Sequence, residues 1–285
     1  MSSLFDFDKD PDTYAVMGNP ITHSLSPQIH AAFAKQTNQR IEYTAIQVDL
    51  GGFDQAVGNF FAHGGKGLNV TVPFKQEAWV LADELGPEAK RAGAVNTLLM
   101  NSDGKLLGRN TDGIGLVRDL LQNHGTSIEN KRVLLVGAGG AARGVLQPLL
   151  EKKPSALVIV NRTPARAHDL AEAFSELGDV TGTGFDDLTD QTFDLIINAT
   201  AASLQGEVPP LPTGVCADNC WCYDMMYSAE PTPFVLWGEK QGASKSVDGL
   251  GMLVEQAAES FFHWRGIRPE TKPVIQLIRD SLNAN

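Results

Sequence analysis

The stretch from Arg132 to Arg143 constrains the fold more tightly than any other part of the chain. Val133-Leu134-Leu135-Val136 is an unbroken apolar run, as expected of a strand buried on both faces of a parallel sheet. It leads straight into Gly137-Ala138-Gly139-Gly140-Ala141-Ala142-Arg143 and then a helical pattern over Ala141 to Leu150. In this position Gly137 permits a tight turn, Gly139 lets a pyrophosphate approach the backbone, and Ala142 lets the helix sit close to the strand. The amides at the helix start face the phosphates, where the helix dipole favours negative charge. The segment predicts a dinucleotide site with Gly137, Ala138, Gly139, Gly140 and Ala141 as binding residues.

The flanking pattern extends this unit. A helix is expected over Gly113 to His124, a strand over Ala156 to Val160, a helix over Pro164 to Leu177 and a strand over Phe193 to Ala199. Such alternation predicts a Rossmann-type, doubly wound parallel sheet with helices on both faces. The end of its second strand bears on the choice of cofactor. A carboxylate there would hold the ribose 2′-hydroxyl of NAD, but the strand ends Asn161-Arg162-Thr163, with no acidic residue before Asp169. A guanidinium attracts a 2′-phosphate and can bond it with two donors, so Asn161, Arg162 and Thr163 point to NADP.

The first third of the chain has a different rhythm. Strands are expected at Ala15 to Met17, Tyr43 to Val48 and Gly67 to Val72, and a hairpin over Ala94 to Gly108 turning at Ser102-Asp103-Gly104-Lys105. Ser26-Pro27 opens a helix, with Ser26 placed to cap it, and Phe74 to Leu85 reads as another helix. Beyond Asp248 the pattern is helical, over Gly249 to Arg265 and Lys272 to Leu282. The expected fold is therefore α/β in two units. Residues 1–111 form a substrate-binding domain, residues 112–249 the dinucleotide domain, and the helices of 250–285 return to the first.

Composition limits the partners. The net charge of −11, with 42% hydrophobic and 20% charged residues, suits a soluble globular protein and argues against nucleic acid. No apolar run is long enough for a membrane span, and Met1 to Pro11 lacks the apolar core of a secretory signal. Cys216, Cys220 and Cys222 are odd in number and have no companion His or Cys nearby, so they read as reduced, metal-free thiols of a cytoplasmic protein.

Some polar residues admit two readings. Lys75 falls at the start of a helix, where the dipole disfavours a cation unless an anion accompanies it. Asp112 either caps the following helix or works in a site. The ordered series SLSP (Ser24 to Pro27), NVTVPFK (Asn69 to Lys75), AVNT (Ala94 to Thr97), NTDG (Asn110 to Gly113), NAT (Asn198 to Thr200), DMMY (Asp224 to Tyr227) and DGLGMLVEQAA (Asp248 to Ala258) adds a further constraint. Together with GAGGAAR and NRT, that series resembles the shikimate dehydrogenases from end to end.

The resemblance implies an NADP-dependent enzyme that reversibly reduces 3-dehydroshikimate to shikimate in aromatic amino acid biosynthesis. It assigns the substrate carboxylate to Ser24 and Ser26, ring hydroxyls to Thr71, Asn96 and Asp112, and catalysis to Lys75 with Asp112. Tyr227 and Gln256 match further substrate contacts; Thr200, Met225 and Gly249 match positions on the nicotinamide side. One departure follows NAT, where Ala201-Ala202-Ser203 replaces a serine- and glycine-rich continuation. Oxidising a secondary alcohol requires a group to take the hydroxyl proton, and the sequence does not divide that task between Lys75 and Asp112. Two rivals stay open: an NAD-preferring quinate/shikimate dehydrogenase, and a non-catalytic sensor of a pathway metabolite. The only partner expected is the small-molecule substrate, with the chain a monomer or homodimer.

Overall fold

A computed structural model describes residues 10–284. Of the N-terminal stretch Met1 to Pro11, all but the last two residues lie outside that range.

The first half builds a six-stranded sheet from β1 (Asp12–Gly18), β2 (Ile41–Gln47), β3 (Gly67–Val70), β4 (Glu84–Leu85), β5 (Thr97–Met100) and β6 (Leu106–Arg109), in the order β2-β1-β3-β5-β6-β4. β1 runs parallel to β2 and β3, whereas β5 runs antiparallel to β3 and β6. The parallel pairs need crossovers, supplied by α1 (Ser26–Thr37) and α2 (Phe53–Ala62). One face buries Met17, Leu68 and Val70 against Phe53, Phe74 and Ala78. Near the other, α1 packs Ile29 and Phe33 against Phe261 of α9 (Leu250–Arg265) and Ile278 of α10 (Lys272–Asn283). All four side chains are fully buried, each worth roughly 1.5–3 kcal/mol of apolar burial. The chain's last helices thus lie against its first.

The second sheet is wholly parallel. It comprises β7 (Arg132–Val136), β8 (Ala156–Val160), β9 (Val180–Thr183), β10 (Phe193–Asn198), β11 (Cys216–Asp224) and β12 (Lys245–Val247), ordered β9-β8-β7-β10-β11-β12. The order reverses direction between β7 and β10, which opens a crevice at the carboxyl ends of those strands. Val133 and Leu135 point to one buried layer and Leu134 and Val136 to the other, as the unbroken apolar run requires. α6 (Gly140–Leu150), α7 (Pro164–Phe174) and α8 (Pro233–Lys240) follow β7, β8 and β11.

Between the sheets lies α5 (Asp112–Arg118), a short helix pressed on two sides. A side chain at Gly113 would collide with Gly144 and Pro148 of α6, and one at Gly115 with Met252 and Gln256 of α9.

Several boundaries differ from the sequence expectation. The helix expected over Phe74 to Leu85 is α3 (Lys75–Leu81), and the chain then pairs with β6 as β4, followed by α4 (Pro87–Ala92). The Asp83 carboxylate accepts from Leu106 N at 2.8 Å, so a long-range strand contact overrides local helical preference. The helix expected over Gly113 to His124 ends at Arg118 and widens into a π-type turn, Asp119–Asn123. Buried Asp119 is held there by Tyr223 OH at 2.7 Å and Asn123 Nδ2 at 2.9 Å. Ser26 begins α1 rather than capping it, and it is Ser24 Oγ that accepts from Ser26 N.

Candidate active site

A cleft of about 290 Å³ opens between the first sheet, α5 and α9. Ser24, Ser26, Thr71, Lys75, Asn96, Asp112, Tyr227 and Gln256 all line it, and so do Met225 and Gly249. Residues spread from position 24 to 256 are brought together, every substrate contact expected from the sequence among them.

Lys75 is the first residue of α3 and Asp112 the first of α5, so two helix N-termini converge. Lys75 Nζ lies 2.6 Å from Asp112 Oδ2. The carboxylate supplies the anion that a lysine at a helix start requires, and its own position suits the dipole of α5. The side chains are 29% and 17% exposed, so the pair keeps an open side toward the cleft. Asp112 caps nothing through its side chain, so the helix-cap reading does not hold.

A buried network orders the carboxylate. Asn96 Nδ2 donates to Asp112 Oδ1 at 2.7 Å and to Thr111 Oγ1 at 3.0 Å. Asn96 Oδ1 accepts from Thr111 N and Thr97 Oγ1, both at 2.9 Å. Both amide hydrogens of Asn96 are thus engaged, so in this arrangement the residue holds Asp112. Asn110 fixes the turn by accepting from Asp112 N at 3.1 Å and donating to Ala94 O at 3.0 Å. Behind Asn96, Asn69 Nδ2 donates to Ser260 Oγ at 3.0 Å, and Tyr43 OH donates to Asn69 Oδ1 at 2.7 Å. Burial pushes the Tyr227 phenol up, which keeps it a neutral hydrogen-bonding group near neutral pH.

The nucleotide side lies at the carboxyl edge of the second sheet. Gly137 has φ of +108°, a backbone angle that side chains disfavour, and a Cβ there would press on Thr200. Nothing stands within 4 Å of a Cβ placed on Gly139 or Gly140, which leaves the room above the loop that a pyrophosphate needs. Ala138 follows Gly137 into that loop, and exposed Ala141 lies in the first turn of α6. Arg162 and Thr163 are exposed, Thr163 immediately precedes α7, and Asn161 Nδ2 donates to Thr163 O at 3.0 Å. These residues fit a dinucleotide carrying a 2′-phosphate. Thr200 Oγ1 donates to Asn198 Oδ1 at 2.7 Å, so its hydroxyl braces the loop. Asp224, with its carboxyl pushed up by burial, accepts from Ser203, Thr232 and Asn198. Ser203 therefore anchors the departure noted after NAT to the end of β11, beside Met225.

Comparison with known proteins agrees with this geometry. Family models match in chain order: the shikimate dehydrogenase substrate binding domain over 16–98, shikimate / quinate 5-dehydrogenase over 119–205, and the shikimate 5′-dehydrogenase C-terminal domain over 249–279. A shikimate dehydrogenase (NADP(+)) from Nitrosococcus oceani is 58% identical over 96% of this chain and 97% of its own. The chain belongs to the shikimate dehydrogenase family. Among solved structures, an Ael1 enzyme from Pseudomonas putida is similar with a TM-score of 0.89 and 45% identity, over 93% of this chain and 97% of the other. The Thermus thermophilus shikimate 5-dehydrogenase, solved with NADP(H) and shikimate, matches with a TM-score of 0.84 and 31% identity, over 95% of this chain and all 100% of the other.

Members of such a family are recognised by their cleft residues, but several residues that shape this cleft escaped the sequence reading. Ser260 is one of them, and Asn110, quoted within NTDG, was given no role of its own. Ser260 lies one helical turn beyond Gln256, and this polar pair interrupts the apolar face of α9. That spacing was a usable signal. No helix among the described residues is long and apolar enough to cross a membrane.

Proposed function

We propose that Lys75 and Asp112 are the proton-handling pair of an NADP-dependent oxidoreductase that interconverts 3-dehydroshikimate and shikimate. The observation carrying this reading is the 2.6 Å Lys75–Asp112 contact, open to a cleft that Met225 and Gly249 also line. When bound, NADP supplies the acceptor or donor of a hydride at the substrate carbon. The protein's own contribution is to place the hydroxyl and move its proton.

Ser24 and Ser26 bind the substrate carboxylate through their hydroxyls. Thr71, Gln256 and Tyr227 orient the ring hydroxyls, and Asn96, assigned to a ring hydroxyl by the resemblance, contributes here by holding Asp112. The reacting hydroxyl sits against Lys75 Nζ and Asp112. In the reductive direction the Lys75 ammonium, with hydrogens to spare beyond the one given to Asp112, gives a proton to the forming hydroxyl; in the oxidative direction the neutral Lys75 amine takes that proton back. Asp112, steadied by Asn96, orients that ammonium against the hydroxyl. The glycine loop Gly137 to Ala141 carries the pyrophosphate, and Asn161, Arg162 and Thr163 carry the 2′-phosphate. Thr200, Met225 and Gly249 form the wall on the nicotinamide side.

In this reading residues 1–111 with 250–285 form the substrate unit and 112–249 the nucleotide unit. The enzyme works in the cytoplasm on a small-molecule substrate, as a monomer or homodimer. Initial rates with shikimate and quinate, each with NADP and NAD, test the proposal. Shikimate with NADP is expected to be fastest. An absence of NADP reduction by the purified protein given shikimate would falsify it.

A further inference from the structure

The three cysteines lie outside the cleft, at the beginning of β11. There the pairing with β10 is irregular: Phe193 faces Cys216, but Leu195 faces Trp221. A step of two residues along β10 (193 to 195) thus matches a step of five along β11 (216 to 221). The excess, Ala217-Asp218-Asn219, bulges out, with Asn219 at a φ of +61°. Cys220 and Cys222 share one face of the strand by their two-residue spacing, and the bulge brings Cys216 beside them. All three sulfurs lie within 4.8 Å of one another, and none is in a disulfide. Cys220 and Cys222 are buried in the core layer of Phe193 and Phe234, while Cys216 is partly exposed.

We propose that Cys216, Cys220 and Cys222 form a trithiolate site for a thiophilic, filled-shell metal ion of the zinc type. Among the described residues the cluster contains sulfur alone, with no carboxylate or imidazole, a donor set that suits soft ions and excludes calcium or magnesium. Zinc–sulfur bonds of about 2.3 Å set sulfurs about 3.8 Å apart, so the side chains need close by only about 1 Å. A disulfide would instead draw two sulfurs to about 2.05 Å and leave the third without a role. The chelating segment is short and already folded, so little loop entropy opposes binding. Cys216 gives the ion a way in and leaves its outer coordination position to water.

Binding of a divalent ion replaces three thiol protons, which go to solvent, and leaves the ion–thiolate unit with one net negative charge. Affinity therefore rises with pH. The ion fastens the bulge to the strand that leads to Asp224 and Met225. It is a staple for β11, with no part in hydride transfer.

The test uses the reduced, metal-free full-length protein and Cd²⁺ as probe, followed by the thiolate-to-metal absorption band and by competition with Zn²⁺. One Cd²⁺ per chain is expected, with all three thiols shielded from a thiol reagent and the melting temperature raised by Zn²⁺. Cys216→Ser and Cys222→Ser should each weaken binding at least about 10²-fold. Cys216 is partly exposed, so its replacement keeps the fold, which unchanged shikimate oxidation verifies. Free reactivity of the thiols at saturating Zn²⁺, or a band of equal strength in Cys216→Ser, overturns the proposal.

Discussion

His30 in α1 has a measurable consequence for acid stability. It is fully buried and stacks on Tyr43 with ring centroids 4.2 Å apart. Burial pushes its pKa from 6.5 down to about 3. Below pH 6.5 the unfolded chain takes up a proton here that the native protein refuses until the pH nears 3. The stabilisation is therefore complete above about pH 6.5 and is lost as the pH falls. From pH 7 to pH 5 the loss amounts to about 2 kcal/mol, at 1.36 kcal/mol per pH unit below the unfolded value. His30→Phe keeps an aromatic ring against Tyr43, Phe33 and Trp264 and removes the titration. Urea unfolding followed by tryptophan fluorescence at pH 7 and pH 5, compared between the two proteins, isolates this group because the other titrations cancel. The variant should lose about 2 kcal/mol less than the parent over that interval. Equal losses in both would show that His30 accepts a proton in the native state, and the burial reasoning would fail.

Other expectations follow from the same geometry. Lys75→Ala should lower kcat by about 10² to 10⁴-fold with a much smaller change in KM; an intact kcat with a raised KM would make Lys75 a binding residue only. Arg162→Ala should raise KM for NADP by about 10 to 100-fold and leave KM for NAD unchanged, as expected for losing charge-assisted bonds worth about 1.5–3 kcal/mol. Steady-state kinetics with both cofactors decides it, and parallel changes would exclude a 2′-phosphate role. Gly251→Ala would drive a methyl group into the buried Asp119 carboxylate, so denaturant unfolding should show a loss of roughly 1–3 kcal/mol. An unchanged midpoint would mean that Asp119 can move aside.

The legible parts of this protein were those with local causes. The β7–loop–α6 unit could be read because burial on both faces demands an unbroken apolar strand, and a tight turn over a phosphate demands glycine. The cleft was legible through short motifs such as NVTVPFK and NTDG, which supply Asn69, Thr71, Lys75 and Asp112 to its lining. The break after Leu81 was not, because it depends on pairing with β6, more than twenty residues away. The cysteine cluster was hidden for a similar reason. In the sequence the three cysteines lack companions, but the bulge at Ala217 to Asn219 makes them companions of one another. Asn96 reads as a substrate contact, yet its two amide hydrogens serve Asp112 and Thr111, a commitment only the folded network reveals.

The seating of α5 bears on how this chain could be re-engineered. Asp112 heads a helix whose glycines press directly on α6 and α9, so the carboxylate is mounted on the seam between the two sheets rather than on either sheet. A chimera joined between positions 111 and 112 would set a foreign seam beneath a native Lys75. Its cleft would hold the right residues in the wrong register. Exchange of the nucleotide sheet should therefore leave α5 and its bearing surface on α9 as one native block, with new joints made beyond them and the α6 face matched to Gly113.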